Sequence, residues 1–363
     1  MLVHQNQTVQ VPTKVLSCYE VLDTFSISHV IKFKNANGSR AIIDVNEATP
    51  LSEVLQTLKD NNILAVPIYR TSSDYSAKIY TGIVSVHDIL SFAYFQQIFD
   101  KDTIVSKDEL SAAVNSFVKK QFFESPVKNI LRRREEPVPF IFSSTDSISN
   151  LIKAFTVGGH HRVLVVDSDI MVDSLVGPIP TSSTLSIISQ MDLVNYLYAS
   201  DIDQTKLPPE FIQNIFTLPL SETHSPAKKK VGDSVIAINA FQPALAAFNI
   251  MQLNNIHALP VINSDDKIIG TISVKNLRGI TMENIDKLAL TAMEFLEIED
   301  PVDAAYNKHT LDTTNVSCSV EHAVQIMLQD RIHHVWTISQ NSDIRGCVTL
   351  TDILYLFTKR VSK

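Results

Sequence analysis

One amphipathic pattern occurs four times along this chain. In each copy, apolar residues stand at offsets 0, 3, 4 and 7, which is the spacing of one face of a helix. The four copies are Leu51/Val54/Leu55/Leu58, Ile148/Leu151/Ile152/Phe155, Ala244/Ala247/Phe248/Met251 and Val320/Ala323/Val324/Met327. Repetition of this kind predicts an array of equivalent structural units rather than one irregular domain.

A short apolar run follows each stripe at a constant distance. Its centre lies nine residues after the last stripe position, at Pro67, Leu164, Pro260 and Trp336. Runs of four to six apolar residues are typical of buried strands. A polar loop and a second apolar strand come next, followed by another helical stretch. Each unit is therefore predicted to fold as strand, helix, strand, strand, helix, which is an α+β or α/β arrangement.

The second apolar strand ends in a four-residue pattern that begins with Ser or Thr. The copies are Ser85-Val86-His87-Asp88, Ser189-Gln190-Met191-Asp192, Ser273-Val274-Lys275-Asn276 and Thr349-Leu350-Thr351-Asp352. An Asp at a helix start can stabilise the helix as a cap and through the helix dipole. Its carboxylate can also accept two hydrogen bonds from a vicinal diol. Both roles stay open, and the third copy has Asn276, which lacks the charge.

Length and local composition suggest how the four units are grouped. A chain of 363 residues is long enough for about two domains. The repeat pattern lapses in a stretch with several prolines and a lysine run, which is typical of a linker. We expect a first pair at 1–200 with repeats at about 14–100 and 124–200, a linker at 201–233, and a second pair at 234–363 with repeats at about 234–285 and 300–363.

Charge and cysteine content exclude several classes of partner. The formal net charge is -8, so the surface as a whole repels nucleic acid and anionic membranes. Three scattered cysteines fit a reducing compartment and form neither a disulfide framework nor a zinc motif. No signal-type segment or membrane-length apolar run is present in the sequence. We expect a cytoplasmic protein, with the nucleus as a second location, and no contact with nucleic acid or membrane.

Two stretches resemble a known family. Residues 258–270, ALPVINSDDKIIG, and residues 159–167, GHHRVLVVD, resemble the CBS (cystathionine-β-synthase-type) domain family. The four-repeat arrangement is similar to that of the gamma subunit of AMP-activated protein kinase and its fungal relatives. The resemblance implies two pseudo-symmetric pairs, often called Bateman modules, packed as a disk. It also implies that AMP, ADP or ATP binds in the clefts between repeats.

The resemblance also implies roles for individual residues. The acidic residue of the four-residue pattern would bind the ribose hydroxyls, which assigns Asp88, Asp192 and Asp352 and leaves Asn276 as a weaker substitute. The hydroxyl residues of the same pattern are Ser85, Ser189, Ser273 and Thr349. Phosphate would be met by His161 and Arg162, which lie just before a strand, and by the corresponding pair His333 and His334. The first repeat has Ile63-Leu64 at this place. We expect His257, a lone histidine before the third strand, to pack structurally.

Motifs of catalysis are absent from the sequence. It contains no P-loop, no His-Glu-x-x-His and no recognisable nucleophile with a base. We therefore expect a regulatory subunit without catalytic residues, metal or cofactor, which senses AMP, ADP or ATP and regulates a protein partner such as a kinase complex. The main alternative is a nucleotide-independent scaffold or inhibitor, for example of a phosphatase or cell-cycle regulator. An enzyme that uses the clefts is a third possibility. Ser225-Pro226 resembles a proline-directed kinase site in the linker.

Overall fold

The computed structural model describes most of the repeat units. It describes residues 22–38, 41–73, 77–95, 116–131, 140–167, 179–180, 184–199, 235–299, 310–312, 319–341 and 343–358. The predicted linker at 201–233, with Ser225, lies outside the described residues, so the predicted domain boundaries stay predictions.

The first two repeats follow the predicted element order. Helix α1 (Ile27–Ala36) precedes the first repeat. The first repeat consists of β1 (Val45–Asn46), α2 (Leu51–Asp60), β2 (Ala65–Thr71), β3 (Ala77–Ser85) and α3 (Val86–Phe95). Helices α4 (Ser116–Phe123) and α5 (Lys128–Leu131) come next. The second repeat consists of β4 (Ile141–Ser143), α6 (Ile148–Thr156), β5 (Arg162–Asp167), a short β6 (Ile179–Pro180), β7 (Thr184–Ser189) and α7 (Gln190–Ala199).

The last two repeats have the same order with one difference. The third repeat consists of β8 (Ile238–Asn239), α8 (Ala244–Asn254), β9 (Ala258–Ile262), β10 (Ile268–Ser273) and a 3-10 helix at Val274–Gly279. A second 3-10 helix (Ile285–Ala289) and helix α9 (Ala292–Glu299) come before the fourth repeat. That repeat consists of β11 (Thr310–Asp312), α10 (Val320–Asp330), β12 (His334–Ile338), β13 (Ile344–Thr349) and α11 (Leu350–Leu356). The fold of four strand-helix-strand-strand-helix units is thus confirmed, with a 3-10 helix closing the third.

Each repeat contains a small sheet of the same topology. The first strand pairs parallel with the second, and the second pairs antiparallel with the third. In the first repeat, β6 from the second repeat adds a fourth strand beside β3. The helix between the first two strands is the parallel crossover that such a pairing requires.

The predicted apolar stripes form the core. Leu51, Val54 and Leu58 of α2 are fully buried, as are the equivalent residues of the other three repeats. A proline stands at the N-cap of two of these helices, Pro50 before α2 and Pro243 before α8.

Hydrophobic packing connects repeats that are not neighbours in sequence. One core joins the first and third repeats and includes Leu58 and Phe248. A second core joins the second and fourth repeats and includes Phe155 and Val324. Helices therefore hold the first repeat to the third and the second to the fourth.

Sheets make the contacts between consecutive repeats. Tyr80 of the first repeat packs in one apolar cluster with Leu164 and Val166 of the second. In the other half of the chain, the indole N–H of Trp336 donates to the Oγ1 of Thr271 at 2.9 Å, and both residues are buried. Each repeat thus has a helix face toward one neighbour and a sheet face toward another.

Candidate functional site: a histidine cluster where four repeats meet

Backbone pairing shows which residues of the four repeats are equivalent. In every repeat, the residue after the pattern's Ser or Thr donates its backbone N–H to the carbonyl of the residue that precedes the second strand. The acceptors are Leu64, His161, His257 and His333, at 3.0 to 3.1 Å. The prediction that Ile63-Leu64 corresponds to His161-Arg162 was wrong by one residue, since Leu64 and Ala65 occupy this place.

The four-residue pattern forms the same hydrogen-bonded turn in each repeat. The backbone N–H and the hydroxyl of Ser85 donate to Asp88 Oδ2 at 2.7 and 2.6 Å. The Asp88 N–H donates back to the Ser85 hydroxyl at 3.2 Å, which is the reciprocal geometry of a capping box. Ser189 with Asp192 and Thr349 with Asp352 repeat this geometry. In the third repeat, the Ser273 N–H donates to Asn276 Oδ1 at 2.8 Å and its hydroxyl donates at 3.4 Å.

Exposure divides these four capping residues into two groups. Asp88 and Asp192 are partly exposed, and the Asp192 side chain has 24% of its surface accessible. Asp352 and Asn276 are buried, with 1% and 5% of their surface accessible. A ribose can approach the first two side chains, whereas the second two serve their helices.

One histidine from each repeat contributes to a single cluster. His87 of the first repeat lies 4.2 Å from His257 of the third, measured between ring centroids. His161 of the second repeat lies 4.8 Å from the same His257 ring. His333 of the fourth repeat acts electrostatically on His257. His257, which we expected to pack structurally, therefore lies at the middle of the cluster.

Burial keeps these imidazoles neutral at physiological pH. It lowers the pKa of His257 to about 2, and the nearby His87, His161, His333 and Arg162 add to the effect. Burial, Arg162, His161 and Lys275 lower the pKa of His333 to about 4. The pKa values of His87 and His161 are lowered by burial as well, although the Asp88 carboxylate opposes the shift for both. Neutral imidazoles accept protons once an anion lies beside them.

Two of these histidines are accessible to solvent. His161 and His333 are exposed to solvent-sized molecules, yet surrounding protein lowers the pKa of both. Nε2 of His87 is buried and has no hydrogen-bond partner among the described residues. Buried polar atoms without a protein partner are unusual and point to a bound water, ion or ligand.

Arg162 and Lys275 supply positive charge at the same place. Both residues act on His333, since each lowers its pKa. Burial lowers the pKa of Arg162, with the Asp192 carboxylate opposing the effect, but a guanidinium stays protonated in proteins. The cluster thus combines two cationic side chains with four imidazoles, which suits a phosphate group.

A buried glutamine orients His161. The Gln190 amide nitrogen lies within hydrogen-bond distance of two carbonyls, those of Phe155 and His160, both at 3.3 Å, and of the Thr351 hydroxyl at 3.0 Å. Its amide oxygen therefore faces His161 Nδ1 at 3.2 Å, and this nitrogen carries the proton. Nε2 of neutral His161 is consequently an acceptor, and it becomes a donor only when the ring gains a second proton.

The predicted phosphate residues fall into two places. His161, Arg162 and His333 belong to the cluster. His334 begins β12 and packs edge-on against Trp336, with ring centroids 5.1 Å apart. His87 and Lys275 were not predicted, although each stands at the third position of a four-residue pattern.

A lysine from outside the repeats reaches one of the acidic residues. Lys34 Nζ lies 3.0 Å from Asp192 Oδ2 and donates to the Ile187 carbonyl at 2.7 Å. No group of three potential metal ligands is disposed around a common point in the described part of the chain. Within the same part, no helix has the length and apolarity to cross a membrane.

Comparison with known proteins identifies the repeat type. Residues 39–94 and 231–282, which span the first and third repeats, match the CBS domain family. The SNF1-related protein kinase regulatory subunit gamma-like PV42a of Arabidopsis thaliana is 23% identical over 353 residues, which cover 87% of this chain and 91% of that protein. Protein SDS23 of Phaeosphaeria nodorum is 21% identical over 254 residues, or 67% of this chain and 41% of that protein.

A solved structure shares the fold. Protein MJ1225 from Methanocaldococcus jannaschii, described as an archaeal homologue of g-AMPK, superposes with a TM-score of 0.60 at 16% sequence identity. The superposition covers 88% of this chain and 97% of the archaeal chain. The four-repeat fold is thus that of tandem CBS-domain proteins.

Proposed function

We propose that this chain, in which two segments match the CBS domain family and which is 23% identical to a gamma-like kinase regulatory subunit, binds an adenine nucleotide and transmits its occupancy to a protein kinase complex. The nucleotide phosphates lie at the histidine cluster, and the ribose lies at Asp88 or Asp192. The chain acts as a regulator and has no catalytic role of its own.

The histidine cluster is the observation that carries this proposal. His87, His161, His257 and His333 come from four different repeats and converge around His257. Bringing these polar rings together is costly unless hydrogen bonds satisfy them, and Nε2 of His87 is buried without a partner among the described residues. A phosphate supplies acceptor oxygens and negative charge. Protonated imidazoles and the Arg162 guanidinium can donate hydrogen bonds to those oxygens and balance the charge.

Exposure supports a ribose site in the first pair. The Asp192 carboxylate is partly accessible, and Asp88 is accessible as well. Hydrogen bonds from a diol to a carboxylate contribute about 1.5 to 3 kcal/mol. Both carboxylates are already held by capping boxes, so a ligand does not have to order them.

The position of the cluster supports a signalling role. A phosphate that contacts residues of all four repeats stabilises one arrangement of those repeats over another. Such differential binding is what shifts a conformational equilibrium. A protein partner that contacts more than one repeat can then distinguish the bound from the free state.

Buried capping residues in the second pair favour the alternative function. Asn276 lacks a charge, and Asp352 has 1% of its surface accessible. A protein with few usable ribose sites can act as a nucleotide-independent scaffold or inhibitor. Under this alternative the cluster is a structural junction between repeats.

Calorimetric titration with AMP, ADP and ATP tests the proposal. We expect saturable binding of at least one nucleotide to the unaltered chain and its loss in Arg162→Ala. Arg345→Ala is the matched control, because Arg345 is an exposed strand residue. Absence of binding by a folded, unaltered chain would reject the nucleotide proposal and favour the scaffold.

A further inference from the structure

Helix α1 lies against the second repeat although it precedes the first. The backbone N–H groups of Ile27 and Ser28 donate to the carbonyls of Asp146 and Ser144, both at 2.8 Å. Ile27, Val30 and Ile31 are buried in the core that the second and fourth repeats share. The helix is therefore firmly placed, and its last turn holds Lys34 beside the second repeat's four-residue pattern.

Lys34 is bound at two points. Its ammonium donates to Asp192 Oδ2 at 3.0 Å and to the Ile187 carbonyl at 2.7 Å. The two contacts fix the ammonium between the end of β7 and the start of α7. About 30% of the Lys34 side chain is accessible, so the ion pair is neither fully buried nor fully solvated.

Asp192 Oδ2 thereby has three donors around it. Two of them are the N–H and hydroxyl of Ser189, at 2.8 and 2.7 Å, which belong to the helix cap. The third is Lys34. A carboxylate oxygen has two lone pairs, so three donors saturate it. Of the three, Lys34 alone can leave without uncapping α7, so a diol that bonds both carboxylate oxygens of Asp192 must compete with it at Oδ2.

We propose that Lys34 is a specificity-determining residue, which occupies the ribose-binding carboxylate Asp192 and competes with the nucleotide for it. This inference rests on the proposed nucleotide function. In the unaltered chain, nucleotide binds at Asp88 in preference to Asp192.

Substitution of Lys34 tests this competition. Lys34→Met keeps the aliphatic part of the side chain and removes the ammonium. We expect calorimetry with AMP, ADP and ATP to show either a second binding event or roughly fivefold tighter binding, the change that loss of a partly exposed ion pair allows. Asp192→Asn introduced into Lys34→Met should remove the gain. The Asn can keep the cap, as Asn276 does in the third repeat.

Lys267→Met is the matched control. Lys267 also links a carboxylate and a carbonyl, since it donates to Asp343 at 2.7 Å and to the Asn341 carbonyl. It lies in the second pair, outside the histidine cluster, and we expect its replacement to leave nucleotide affinity and stoichiometry unchanged. An equal gain in Lys267→Met would show a general effect of lost charge and would overturn the inference.

The outcomes separate this inference from the proposed function. Binding by the unaltered chain that Lys34→Met tightens, or to which it adds a second binding event, would support both. Binding by the unaltered chain that Lys34→Met leaves unchanged in affinity and stoichiometry would overturn the competition alone. Absence of binding by every folded variant would overturn the nucleotide function and the competition together.

Discussion

The rings of His87 and His257 lie 4.2 Å apart, although they occupy different positions in their repeats. His257 precedes the second strand of its repeat, whereas His87 stands in the first turn of α3, directly after the third strand. The first repeat has Leu64 where the others have histidine, and His87 supplies its imidazole from the turn instead. Each repeat thus contributes one ring to the cluster.

Acid should destabilise the chain in the absence of nucleotide through His257. The pKa of His257 is lowered to about 2 by burial and by the neighbouring His87, His161, His333 and Arg162. Below the ordinary pKa of histidine, about 6.5, the unfolded chain therefore binds more protons than the folded chain. The contribution of His257 to the free energy of unfolding is fully present above that pH and is lost as the pH falls. Between pH 7 and pH 5 the free energy of unfolding, measured in urea, should fall by about 1 kcal/mol less in His257→Gln than in the unaltered chain. An equal reduction in His322→Gln, which replaces an exposed histidine, would contradict this assignment.

Nucleotide binding should take up protons at His161. Since Gln190 fixes the ring proton on Nδ1, Nε2 can donate to a phosphate only after the ring is protonated. Binding is therefore expected to tighten as the pH falls from about 8 toward the lowered pKa of His161. Calorimetry in buffers of different ionisation enthalpy measures the uptake, and His161→Gln should lower it. The comparison between variants removes the contribution of the nucleotide's own ionisation, and identical uptake in both would refute the role of His161.

Two Asp→Asn substitutions should separate ribose binding from helix capping. Asn276 shows that an Asn can accept the cap hydrogen bond, from Ser273 at 2.8 Å. We expect Asp88→Asn to weaken nucleotide binding about tenfold, because the diol loses a charged acceptor. Asp352→Asn should change affinity by less than about twofold, because Asp352 is 1% exposed. Equal losses of affinity in the two variants would mean that exposure does not decide ribose binding.

Removing the Gln190 amide should destabilise the junction of the second and fourth repeats. Gln190 is 5% exposed and bonds Thr351 of the fourth repeat at 3.0 Å. Gln190→Leu removes the amide and leaves the buried groups that bond it without a partner. We expect this to lower the free energy of unfolding by about 1 to 3 kcal/mol. Gln325→Leu is the control, because its amide bonds the Tyr198 hydroxyl at 2.8 Å at an exposed position. Urea unfolding of the two variants should differ by at least about 1 kcal/mol, and similar midpoints would count against a special role for Gln190.

Local pattern predicted the repeats because each element depends on near neighbours in the sequence. The stripe that begins at Leu51 is buried as its helical spacing indicated, and the four-residue pattern beginning at Ser85 starts a helix. The same reasoning left Asp88 open as a cap or as a ribose ligand, and the structure shows the cap. Its predicted ribose role stays a prediction.

Contacts between distant segments could not be predicted in this way. Lys34 and Asp192 are 158 residues apart, and nothing in the local spacing of either residue indicates the other. The apolar stripes of the four repeats are alike, so they do not indicate which two repeats pack against each other. The core shared by the first and third repeats was therefore not predicted. His257 was assigned a structural role because one histidine beside a strand is usually packed. Its partners come from other repeats and become visible only in the folded chain.

The two helical cores impose a dependence between the halves of the chain. Each core takes one layer from the N-terminal half and one from the C-terminal half, so Leu58 of the first repeat and Phe248 of the third belong to the same core. A fragment that ends between the second and third repeats would expose half of both cores at once. Folding of either half is therefore completed by the other. Separately expressed halves would be expected to assemble with each other as two complementary subunits rather than persist as independent modules.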